Sequence, residues 1–320
     1  MKYKMLSSLL NGDLQTIEKE LENSIQASDP LLHEASLHLL QAGGKRIRPV
    51  FVLLAAKFGT YDIDVVKKVA MALELIHMAS LVHDDVIDES LLRRGAPTIQ
   101  AKWNNKVAMY TGDYIFARAQ ELMTEVGKPA AHKLISNTIV EVCIGEIEQI
   151  RDKYIFDQTV RNYFRRIKRK TALLIATSCQ LGGIVSGVDE RTHKTLFRFG
   201  YYVGMSYQVM DDILDFTASE KVLGKPAGSD LKQGNITMPV LFALKHKELR
   251  EKIITVHEGI SDEEMQEIIE EIKKSGAIDQ SIEISDRFLQ KAFDELKKLP
   301  NGRPRKNLQD IAKYIGKRKF

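Results

Sequence analysis

At 320 residues, 44% hydrophobic and 28% charged with only 20 Gly and 8 Pro, the chain has a globular composition with long stretches free of helix breakers, which excludes a collagenous or low-complexity protein. Its 47 basic residues against 43 acidic ones leave a formal charge of +4, too small an excess for nucleic acid to be the main partner, whereas anionic small molecules stay open. The two cysteines, Cys143 and Cys179, lie outside CxxC contexts; with no signal segment and no apolar run of the roughly 18 to 20 residues that span a bilayer, a soluble cytoplasmic protein without zinc or disulfides is expected.

In chain order, Leu14, Ile17, Leu21 and Ile25 recur at three and four spacing and predict an amphipathic helix, which Ser28-Asp29-Pro30 separates from the next. Gly43-Gly44 opens GGKRIRP (Gly43 to Pro49), which sets Lys45, Arg46 and Arg48 on a glycine-started loop, with Pro49 suited to the first turn of the following helix. Val69, Leu73, Ile76 and Leu81 mark a further helix that runs into LVHDDVIDE, Leu81 to Glu89. Later breaks fall at Arg94-Gly95-Ala96-Pro97, Gly127-Lys128-Pro129, Gly182-Gly183, Gly224-Lys225-Pro226 and Pro300-Asn301-Gly302. The count is about ten helices and no convincing strand. Since neither a composition shift nor a linker divides the chain, one large all-α domain over residues 1–320 is expected.

Two aspartate clusters carry the chemistry. Residues i and i+4 share a helix face, so Asp84 stands above Asp88 and Asp211 above Asp215 in QVMDDILDF. A lone cluster would read as readily as a solvated helix end. Two of them, late in their helices, oppose the macrodipole and repel by a few tenths of a kcal/mol each, so a compensating cation is expected. Oxygen donors without cysteine select Mg²⁺, which takes one or two carboxylates and fills its shell with water and substrate phosphates; a diphosphate is the natural ligand. Arg93 and Arg94 follow the first cluster, His77 shares the face of Asp84 and Asp88, and Gln208 that of Asp211 and Asp215.

Two weaker stretches follow. RRIKRKT, Arg165 to Thr171, is most simply a basic solvated helix face, although Lys170-Thr171 opens an apolar segment and could reach inward. GKPAGSDLKQGNIT, Gly224 to Thr237, lacks the order of a P-loop and reads as a mobile lid offering Lys225 and Lys232.

Taken together, GGKRIRP, HDDVIDxxxLRRG, GDYIFARA, the Lys170-Thr171 pair, YQVMDDILDF and GKPAGSDLKQGN resemble the trans-isoprenyl (polyprenyl) diphosphate synthases from end to end. The resemblance implies a single helical bundle around a deep central cavity, the two aspartate helices facing each other across its mouth. It further implies Mg²⁺-dependent, head-to-tail condensation of isopentenyl diphosphate with an allylic diphosphate. By the same resemblance Lys45, Arg48, His77 and Arg94 match isopentenyl diphosphate positions, Arg93, Lys170, Thr171, Gln208 and Lys225 match allylic-substrate positions, and Asp84, Asp88 and Asp211 match the metal ligands. One departure is Asn235, where short-chain members carry lysine. The heteromeric long-chain subgroup is similar here, which implies a small partner subunit (component I), a heptaprenyl (C35) product from a farnesyl primer, and use in the menaquinone side chain with at most peripheral membrane contact. A homodimeric hexaprenyl or octaprenyl synthase is the alternative reading; a non-catalytic regulatory subunit has no need of two intact motifs.

Ala79 and Ser80 stand five and four residues before Asp84. Small side chains there leave room for a growing chain, with Leu73, Ile76 and residues around Ile139 to Ile144 expected along the path; close helix packing would also ask for small residues.

Overall fold

A computed structural model describes residues 10–218 and 226–316. The described chain is almost wholly α-helical, as expected, and divides into two compact units. One comprises Met1–Ile135, Ser178–Leu196 and Pro300–Leu308; the other comprises Ser136–Thr177, Phe197–Leu299 and Gln309–Phe320. Among the described residues no helix is long and apolar enough to cross a membrane.

In the first unit the helix starts follow the turn chemistry. Asp29 caps Pro30–Gln41 by accepting from the Leu32 amide at 2.9 Å, with Pro30 at the first helical position. Asp62 caps Ile63–Ile87, and Asn104 caps Asn105–Thr124. Pro49 stands third in Ile47–Ala56, within its first turn as expected, and Arg46 takes a left-handed conformation just before the helix. From Pro49 to Ala56 every residue of that helix is buried. Ile63–Ile87 packs most extensively along Asn105–Thr124, and next against Ile47–Ala56. That places Val69, Leu73 and Leu75 in a closed interior, each 0% exposed.

Gly182-Gly183, expected as a break, lies inside the helix Leu173–Val185. A Cβ at Gly182 would stand 2.4 Å from the Val52 carbonyl oxygen and 3.0 Å from the Ala55 Cβ. The glycine is there for close approach to Ile47–Ala56, not for a turn.

The second unit is built on a cluster that includes Tyr163, Ile167, Met205, Val209, Ile213, Phe216, Leu231 and Ile236. Met238–Ala243, Asp262–Lys274 and Ala277–Lys297 close it with buried faces. Asp262–Lys274 starts on a full capping box, Ser261 with Glu264. A fully polar-satisfied start of this kind holds a strongly amphipathic helix in one register.

Candidate functional site

The first aspartate cluster sits at the end of Ile63–Ile87. Asp88 is the C-cap residue, its amide donating to the Asp84 carbonyl at 2.8 Å. Asp84 and Asp88 are half-buried, whereas Asp85 between them is 3% exposed. Arg93 holds the Asp85 carboxylate with Nε (2.8 and 2.9 Å to the two oxygens) and Nη2 (2.6 Å). Gln100 Nε2 and the Ser90 amide donate to the Asp85 carbonyl at 2.6 and 2.9 Å. Burial pushes the Asp85 carboxyl above its ordinary range, against the pull of Arg93.

What the sequence marked as a plain break is a small hairpin. Leu92–Arg93 pairs antiparallel with Ala96–Pro97 around a two-residue turn, Arg94-Gly95, with φ +54° and +81°. Positive φ at both central residues is the type I′ signature, and it corrects the expectation of no strand. Arg94 and Arg46 are two of four described non-glycine residues held left-handed; such a conformation costs roughly 1–3 kcal/mol and persists where the surroundings over-determine it.

The basic residues converge on His77. Desolvation, then the positive charges of Arg48, Arg94, Arg93 and Arg46, push its imidazole well below the ordinary range, so it is neutral at pH 7. Lys45 is exposed and Arg48 partly so. Arg46 is 8% exposed and committed inward, Nε to Glu18 at 2.5 Å and Nη1 to Glu74 at 3.1 Å.

In the second unit the helix Glu190–Thr217 carries the other cluster. Asp211 is exposed, while Asp212 and Asp215 are 3% and 2% exposed. Asp212 accepts from the Tyr163 hydroxyl at 2.6 Å on one oxygen and from Gln208 Nε2 at 2.8 Å on the other. The Gln208 amide oxygen in turn accepts from the Thr171 hydroxyl at 2.6 Å. Burial pushes the Asp212 carboxyl up to about 7, opposed by its two donors. Burial likewise raises the Tyr163 phenol, which therefore keeps its proton and donates.

Lys170 and Thr171 lie in a π-helical turn, Lys168–Ala172, between the helices Val160–Ile167 and Leu173–Val185. π-turns within helices recur at functional sites. The basic run is not a solvated face. Arg166 is 5% exposed and donates to Gln158 and the Ile236 carbonyl; Arg169 bonds Glu141 and Glu148, and Lys170 bonds Glu146 at 3.0 Å. Glu141, Glu146 and Glu148 of Pro129–Arg151 thus pair with Arg169 and Lys170.

Lys225 lies outside the described residues. The described part of the expected lid, 226–237, is pinned rather than loose. The Gly228 amide donates to the Asp215 carbonyl at 2.8 Å and the Asp230 amide to its carboxylate at 3.2 Å. Tyr154 holds the Lys232 carbonyl at 2.7 Å, Leu231 and Ile236 are 0% exposed, and Lys232 Nζ bonds Asp262.

Along the expected product path, Ala79 is 2% exposed and Ile76 5%. On Pro129–Arg151 Ile139 is half-buried, while Val140 and Ile144 are 57% and 41% exposed and with Cys143, Ile147 and Ile150 form an exposed apolar stripe at helical spacing. Sequence reasoning also missed the inner roles of Asp85, Asp212 and Asp215. Asp85 and Asp212 each stand one position after a motif aspartate and so point about 100° round the helix from it, a signal that was present; Asp215 shares the face of Asp211 by spacing, and its burial comes with the Gly228 and Asp230 backbone bonded to it. Tyr163 carries no motif of its own.

Residues 29–274 match the family model described as Polyprenyl synthetase. The chain is 62% identical over 320 residues to heptaprenyl diphosphate synthase component 2 of Bacillus subtilis (strain 168), covering 100% of this chain and 92% of that one. The crystal structure of heptaprenyl diphosphate synthase from Staphylococcus aureus is similar at a TM-score of 0.93 with 45% identity, covering 97% of this chain and 98% of that one. A polyprenyl synthase from Caulobacter crescentus CB15, complexed with calcium and isoprenyl diphosphate, is similar at a TM-score of 0.93 with 30% identity, covering 99% and 98%.

Proposed function

This chain belongs to the polyprenyl synthetase family, and on that premise we propose that it condenses isopentenyl diphosphate with farnesyl diphosphate to give all-trans heptaprenyl diphosphate. It is a chain-elongating prenyltransferase with the all-α isoprenoid synthase fold. The observation that carries the heptaprenyl assignment is the 62% identity along the whole chain to component 2. The family model spans residues of both compact units, which supports treating 1–320 as one synthase domain.

Asp84, Asp88 and Asp211 are the metal ligands in this reading. Asp84 and Asp88 are half-buried and Asp211 is exposed, whereas Asp85, Asp212 and Asp215 are buried. Among the described residues no three His, Cys, Asp or Glu form a metal cage by themselves. That fits Mg²⁺, which completes its shell with water and substrate phosphates. When bound, Mg²⁺ supplies charge neutralisation for the departing diphosphate. Lys45, Arg48, neutral His77 and Arg94 hold isopentenyl diphosphate; Arg93, Lys170, Thr171, Gln208 and Lys225 hold the allylic diphosphate. The allylic C–O bond breaks with its electron pair leaving on diphosphate, the isopentenyl double bond attacks the cation, and the released diphosphate takes the proton.

A small partner subunit, component I, completes the enzyme in this reading, as the name of the Bacillus subtilis relative suggests. We assign the outward stripe Val140, Cys143, Ile144, Ile147 and Ile150 to that subunit. The carboxylates Glu141, Glu146 and Glu148 of the same helix are engaged by Arg169 and Lys170, and Arg151 stays exposed at its end. An apolar partner helix with an acidic rim complements such a surface. Cytoplasmic location, peripheral membrane contact and a menaquinone destination belong to the same proposal.

The test is product sizing. With Mg²⁺, isopentenyl diphosphate and farnesyl diphosphate the pure chain is nearly inactive, and adding the small subunit yields heptaprenyl diphosphate. Robust long-chain synthesis by the pure chain would show a self-sufficient homomer instead.

A further inference from the structure

We propose that Tyr163 is a positioning residue for the allylic diphosphate, acting through Asp212 and Gln208 on Thr171. The inference rests on the reading that Thr171 and Gln208 hold that substrate. Tyr163 is 0% exposed and points its hydroxyl at a carboxylate that is itself 3% exposed. From there three links run in series: Tyr163 to Asp212 at 2.6 Å, Gln208 to Asp212 at 2.8 Å, and Thr171 to Gln208 at 2.6 Å.

The series fixes more than distance. Asp212 accepts on both of its oxygens, from the Tyr163 hydroxyl and from Gln208 Nε2, so the Gln208 amide presents its NH₂ inward and turns its oxygen to Thr171. Asp212 could rotate if one oxygen lacked a donor, and Tyr163 supplies that donor. Tyr163 lies on Val160–Ile167, directly before the π-turn that holds Lys170 and Thr171. The phenol thus ties the helix leading into the turn to the helix that carries Asp211 and Gln208. A deformable π-turn held at both ends presents its side chains in one geometry.

The test compares binding of two inert analogues, farnesyl thiolodiphosphate and isopentenyl thiolodiphosphate, by calorimetry with Mg²⁺. In Tyr163→Phe the Kd for the farnesyl analogue rises about tenfold, while that for the isopentenyl analogue is unchanged. In a Gln208→Ala background Tyr163→Phe adds less than about twofold, because the series is already cut. Tyr163→Phe/Asp212→Leu replaces both buried partners by apolar groups, so its melting temperature recovers relative to Tyr163→Phe while the farnesyl analogue stays weakly bound. That last pair of readings separates positioning from structural support and does not need Tyr163→Phe to fold well. Equal loss for both analogues, additive effects with Gln208→Ala, or affinity recovering together with stability would overturn the proposal. If the wild-type chain with its partner bound neither analogue, the substrate reading itself would fail instead.

Discussion

Three of the six motif aspartates are turned to the protein's own needs. Asp85 holds the Arg93 hairpin, Asp212 holds Tyr163 and Gln208, and Asp215 holds the backbone at Gly228 and Asp230. The i, i+4 spacing made the outward pair Asp84 and Asp88 legible in the sequence, since it follows from helix geometry alone. The partners of the buried aspartates were not legible, because Tyr163 is 49 positions from Asp212 and Asp230 is 15 from Asp215. His77 shows the same limit: its face was readable, its neutrality was not, because that needs burial and four arginines gathered in space. The neutrality has a measurable sign. Above pH 6.5 neither folded nor unfolded chain protonates His77; below it the unfolded chain gains a proton that the native site refuses. Stability therefore falls as pH drops from about 6.5 toward the lower folded value, with a limiting slope of about 1.4 kcal/mol per pH unit from this group. Urea melts between pH 7 and 5 should show His77→Gln with a shallower fall than wild type; parallel curves would contradict the assignment.

At the scale of elements, helix starts were the most legible feature, because a cap is local chemistry: Asp29-Pro30 and Pro129 both open helices where the turn residues said they would. The misreadings share one cause. Gly182-Gly183, the Arg94-Gly95 turn and the 226–237 segment all contain residues that permit several conformations, and tertiary contacts chose among them. The helix Ile63–Ile87 offers a graded case. Ala79 is 2% exposed, whereas Ser80 is half-buried, its hydroxyl donating to the His77 carbonyl at 2.9 Å. Ser80→Phe should shorten the product toward C15 or C20 with little loss of stability. Ala79→Phe enters closed packing and should cost about 1–3 kcal/mol. Chromatography of the prenyl products, beside melting curves, checks both; an unchanged product length for Ser80→Phe would remove that position from the product path.

At the scale of the whole molecule, the class of enzyme was legible because the motifs that carry the resemblance are short and contiguous. Division into two compact units was not, since no composition shift accompanies it. Nor was the apolar stripe on Pro129–Arg151 distinguishable from a core face until its exposure was known: Ile147 is 65% exposed and Val140 57%. Two thiols report on it. Cys143 is exposed on the stripe, and Cys179 is buried, with burial pushing its thiol up. Alkylation of the native chain should therefore modify Cys143 alone, and addition of the small subunit should slow it severalfold. Undiminished labelling of Cys143 in the active complex would move the partner to another face, and Ile147→Glu should weaken assembly without lowering the melting temperature of the chain.

From Val160 to Val185 the backbone is helical without a gap, yet Lys168–Ala172 winds one residue wider than its flanks. An extra residue in one turn shifts the angular phase by about 100°. Any wheel drawn through Val160 and continued past Ala172 therefore misplaces every later side chain by about 100°. The rod is in effect two helices spliced out of phase, and the splice falls on Lys170 and Thr171. Alignments of relatives that slide by one residue here would keep the apolar pattern on one side of the splice only at the cost of the other.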